Sequence, residues 1–206
     1  MKYVYRIVNA LLAAAIFPAV LFLDFLLVRA STSLADVGIE ETITLKRIID
    51  IFTGHDTLSS LIQSSGDFSW PEAFAPINSR LIACVVFFAL ALIAALFIIF
   101  WSIFSNKRIP VLSASIAGLV SVIVMNACFN SAAREIMSGT INIVQAFATG
   151  WIGSIVGSIV NIDTLVFGGF QNGMIILFVC LIIWTGAFYL VELGEPKEEK
   201  PEPKKK

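Results

Sequence analysis

The stretch FPAVLFLDFLLVRA, Phe17 to Ala30, decides how this 206-residue chain is read. It is apolar enough to enter a lipid layer, yet it carries Pro18 and a carboxylate, Asp24, before Arg29 closes it. Taken as the second half of one helix, it completes a run from Ile7 to Val28, with Lys2 and Arg6 before it. At 1.5 Å per residue such a run reaches ~33 Å, enough for a hydrocarbon layer of ~30 Å. On that helix Arg6 and Asp24 stand five turns apart and share a face, with Asn9, Ala13 and Val20 near the same line.

An intramembrane carboxylate asks for a partner or a function. Arg29 is a poor partner, because a spacing of five residues turns it ~140° away on a helix. Arg80 and Arg134 enter at similar depth and are the ion-pair candidates for Asp24. The second reading makes Asp24 a proton or cation site in a pathway. Asn126 is the other strongly polar side chain at that level, and an interhelical hydrogen bond is its expected role.

Outward from this stretch the composition keeps the same character. Hydrophobic residues make up 58% of the chain and charged ones 14%, against ~25% charged in a soluble domain. Three more apolar runs follow, Leu81 to Phe104, Val111 to Phe129 and Met174 to Val191, the last with Trp184 and Tyr189 as interfacial anchors. The connection Ser105 to Pro110 is too short for anything but an antiparallel hairpin.

The expected fold is therefore an all-α integral membrane protein. It is a four-transmembrane-helix antiparallel bundle with spans near 7–28, 81–104, 111–129 and 174–191, and a small helical extracytoplasmic cap. Residues 1–194 form one membrane domain, and the charged, proline-containing tail 195–206 is expected to be disordered. A cleaved N-terminal signal is the alternative for the first run, which is longer than the usual 7–15 apolar residues.

Four crossings place Lys2, Arg6, Lys107, Arg108 and five tail lysines on one side, against Arg29, Lys46, Arg47, Arg80 and Arg134 on the other. The first side is expected to be cytoplasmic, with both termini. A bacterial plasma membrane fits a compact chain with no N-glycosylation acceptor. The topology is similar to that of claudins and connexins, but neither outer segment here contains a cysteine.

The outer segments are 30–80 and 131–172. In the first, Leu45, Ile48, Ile49 and Phe52 share a helical face, and the lone His55 sits in a polar turn. In the second, Arg134, Ser138, Asn142, Gln145 and Thr149 recur at helical spacing as a nearly uncharged polar stripe. Gly150, Gly153 and Gly157 have the small-residue spacing that lets helices approach closely, as do Ala114 and Gly118 in the third run. Residues 136–162 are uncharged and could be interfacial, re-entrant or a fifth crossing.

No nucleophile elbow, zinc-protease, phosphate-loop or paired-cysteine motif is present, and Cys84, Cys128 and Cys180 lie within apolar runs. No cofactor, metal or catalytic residue is expected, and a net charge of −1 argues against nucleic acid. The expected function is non-enzymatic, a structural or interaction subunit of an oligomeric or larger membrane assembly, with membrane lipids and other membrane proteins as partners. The alternative is a channel or transporter component with a polar pathway past Asp24, Asn126 and the 138–149 stripe.

Overall fold

Pro18 has no amide hydrogen to offer the carbonyl of Ala14, and the first helix stops there. In the computed structural model, which describes residues 2–32, 38–47, 75–138 and 160–194, helix α1 covers Lys2–Ala14. After Ala15, helix α2 covers Ile16–Phe22. Leu23 is extended, with φ −80° and ψ 156°, and strand β1 runs from Asp24 to Thr32. The helical reading of residues 23–28 is thus corrected. Helix continues only to Phe22, so the first apolar helical length is Tyr3–Phe22, 20 residues or ~30 Å.

Strand β2, Gly38–Thr44, pairs antiparallel with β1 on one side. Strand β3, Val160–Phe167, pairs antiparallel on the other, giving the order β2-β1-β3. The sheet corrects the all-α assignment. Of the helical cap, one turn at residues 45–47 falls among the described residues; Thr44 caps it by accepting from the Arg47 amide at 3.2 Å. The rest of that predicted helix, and His55, lie outside the described residues.

Helices α3 (Ala75–Phe104) and α4 (Arg108–Met137) form the expected hairpin across a connection of three residues, and α5 covers Gly169–Gly194. Pro110 is accommodated in the first turn of α4. Among the described residues four helical lengths are long and apolar enough to cross a membrane. At 30 residues each, α3 and α4 reach ~45 Å, more than a hydrocarbon layer needs. Their surplus supports the sheet. Ile77 of α3 and Ala132, Ala133 and Ile136 of α4 are buried with Leu165 of β3, and Val28 of β1 packs against them. This is why α4 continues past Phe129, where apolar character fades: residues 130–137 rest on protein.

The central core joins all four spans: Ala13, Ile16 and Val20 from the first, Ala91, Ala95 and Ile98 from α3, Val122 and Met125 from α4, and Phe170, Met174 and Phe178 from α5. Large apolar side chains also face outward on each span, among them Leu11 at 65% exposed, Val85 at 66%, Ile123 at 53% and Ile183 at 65%. A helix apolar on both faces is buried in protein or surrounded by lipid.

Candidate functional site

Asp24 is where the chain stops being helix. Its side chain is exposed, and among the described residues it forms no ion pair. Its proposed partner Arg80 instead pairs with Glu135 of α4, and also donates to the Ser131 carbonyl at 3.4 Å. The Arg80–Glu135 pair ties α3 to α4 at the level of the sheet. Arg134, the second candidate, is exposed and forms no ion pair among the described residues. The shared face of Arg6 and Asp24 disappears with the helix that would have carried both.

The backbone at Asp24 is more constrained than its carboxylate. Gly168, joining β3 to α5, donates its amide to the Phe25 carbonyl at 3.0 Å. A Cβ at Gly168 would stand 2.3 Å from the carbonyl oxygen of Asp24. The exit of the first span and the entry of the last therefore pass each other at van der Waals contact. Around that crossing Phe25 stacks on Phe170 with centroids 4.5 Å apart, and Phe129 stacks on Phe167 at 3.9 Å.

Asn126 is half-buried and accepts from Asn130 of the same helix at 3.2 Å. The expected interhelical bond is replaced by an i,i+4 bond along α4. Ser138 ends α4, its amide donating to the Arg134 carbonyl at 2.9 Å and its hydroxyl to the Glu135 carbonyl at 3.0 Å. The rest of the polar stripe, Asn142, Gln145 and Thr149, lies outside the described residues, as do Gly150, Gly153 and Gly157.

Gly118 is a packing position, but an internal one. It is buried, and a Cβ there would meet the Phe178 ring of α5 at 2.3 Å. Ala114, one turn earlier, is partly buried against the same core. Gly118 fits α4 to α5 within the chain.

Sequence reading missed the polar contacts at the opposite end of the bundle. Asn9 and Thr185 are both fully buried, and the Thr185 hydroxyl donates to Asn9 Oδ1 at 3.3 Å. Asn9 Nδ2 and the Ser102 hydroxyl have no hydrogen-bond partner among the described residues. Arg6 Nε donates to the carbonyl of Ser102 at 2.7 Å. Arg108 lies over the rings of Tyr5 and Phe188, 5.4 and 5.6 Å from their centroids. The placement of Arg6 and Asn9 on one face of α1 was legible. Their partners come from helices far along the chain, and isolated Ser102 and Thr185 gave no local pattern.

Two cavities open beside these features. One, about 250 Å³, lies between sheet and helices and is lined by apolar groups, including Phe25, Leu81, Met125 and Phe167. The other, about 670 Å³, surrounds the hairpin connection from Phe104 to Pro110 with Tyr189. Among the described residues no group of three His, Cys, Asp or Glu side chains could hold a metal ion. No protein-family model, curated protein or solved structure matches this chain.

Proposed function

We propose that the chain is a non-enzymatic multi-pass membrane protein, acting as a structural or interaction subunit of an oligomeric or larger membrane assembly. The observation that carries this reading is the absence of slack between bundle and sheet. One residue, Leu23, separates α2 from β1, and one, Gly168, separates β3 from α5. A surface mounted on such short joints moves with the helices. That suits presentation to a partner better than capture by a mobile lid. The apolar exterior of all four spans supports residence in lipid. In this reading the membrane is a bacterial plasma membrane, with the hairpin and both termini cytoplasmic and the sheet outside.

The channel reading puts water beside Asp24, Asn126 and the 138–149 stripe. Fully buried apolar residues on every described span favour the subunit reading over a polar route through a single copy. Contacts with partners fall instead to the outer surface and to Gly150, Gly153 and Gly157. The test is isolation of the native protein in mild detergent, sized by light scattering, with co-eluting chains identified. A defined complex is expected, and Gly153→Leu is expected to dissociate it while the thermal unfolding midpoint stays unchanged. A solitary monomer from native membranes would overturn the proposal.

A further inference from the structure

Near the hairpin end, α1 and α3 leave between them a groove of about 280 Å³, lined by Tyr3, Arg6, Ile7, Ala10, Ser102 and Ile103. Its chemistry is divided. Arg6 spends its Nε on the Ser102 carbonyl, 2.7 Å away, which fixes the plane of the guanidinium. Among the described residues Arg6 has no carboxylate partner, so its two terminal nitrogens remain as a fork of donors. Ser102, only 1% exposed, lines the same groove, and its hydroxyl lacks a hydrogen-bond partner. The rest of the wall is apolar: Ile7 is 58% exposed and Ile103 53%.

An oriented cation and an unmet hydroxyl beside an apolar wall complement an amphiphile with an anionic head. Phosphodiester oxygens accept from a guanidinium fork with charge-assisted bonds, and they accept from a hydroxyl as well. A free phosphate would leave the apolar wall unused, and an uncharged lipid would leave the guanidinium unmatched. We infer that this groove holds a membrane phospholipid, its phosphodiester on Arg6 and Ser102 and an acyl chain along Ile7, Ala10 and Ile103. The inference requires the helices to lie in lipid, but not the partner assembly proposed above.

The test uses the full-length chain alone, delipidated in non-ionic detergent and titrated with dioleoyl phosphatidylglycerol while native mass spectrometry counts adducts. One saturable adduct is expected. Arg6→Gln is expected to weaken it at least about tenfold, and Ser102→Ala about threefold. Lys107→Gln removes a cation at the same end but outside the groove, and should stay within about twofold of the parent. Ile103→Trp fills the groove while keeping Arg6, and should abolish the adduct even if Arg6→Gln fails to fold. Unchanged binding in Arg6→Gln or in Ile103→Trp, an equal loss in Lys107→Gln, or displacement by millimolar inorganic phosphate would each overturn the inference.

Discussion

At the scale of single residues, the carboxylate of the opening stretch matters less than the glycine beside its backbone. Asp24 is exposed and makes no ion pair among the described residues, so Asp24→Asn should change stability by no more than about 0.5 kcal/mol. Thermal unfolding in detergent measures this, and ion flux into liposomes should likewise be indifferent to the change. A large loss of flux would restore the pathway reading. Gly168→Val is the opposite case. Its new side chain meets backbone rather than a movable side-chain tip, so about 2–3 kcal/mol of destabilisation is expected. At Gly118 the obstacle is a core phenyl ring, and Gly118→Leu should cost a comparable amount. A Gly168→Val variant as stable as the parent would mean that β1 and α5 do not pass as closely as described.

At the scale of elements, two polar contacts join helices and should differ in kind. Arg80 and Glu135 have side chains 38% and 31% exposed, so solvent screens them and a double-mutant cycle should give about 0.5–1 kcal/mol of coupling. That coupling should shrink as salt is raised. Asn9 and Thr185 are sealed in the bundle, and salt should not reach their contact. Interhelical hydrogen bonds of this type average about 0.6 kcal/mol, and Asn9 Nδ2 gains nothing from this one. The double change Asn9→Leu with Thr185→Val should therefore leave the unfolding midpoint nearly unchanged or raise it. A loss larger than about 2 kcal/mol would show that the buried amide does more than this geometry assigns to it.

At the scale of the molecule, the antiparallel order puts the hairpin at one end of the bundle and the sheet at the other. Thr42 on β2 and Asn106 in the hairpin are both exposed, and they mark the two ends. A membrane-impermeant thiol reagent applied to sealed cells should label Thr42→Cys and spare Asn106→Cys until the membrane is opened. Labelling of both from outside would break the even number of crossings. Loss of the sheet should also be a loss for the bundle, because Leu165 and Val28 share a buried cluster with the ends of α3 and α4.

The four apolar helices among the described residues and the hairpin at Lys107 were legible in the sequence. Each is set by interactions within a few residues, or by the length of apolar run that lipid demands. The handover from helix to strand at Leu23 was not. A short apolar run such as FLLV reads equally well as membrane helix or as buried strand, since periodicity cannot separate the two when every position is apolar. Backbone pairing decided it: β2, a short connection away, takes one edge of β1, and β3, more than 130 residues later, takes the other. Only when the chain folds do those edges meet, and only then do Arg80 and Gly118 acquire the neighbours that fix their roles.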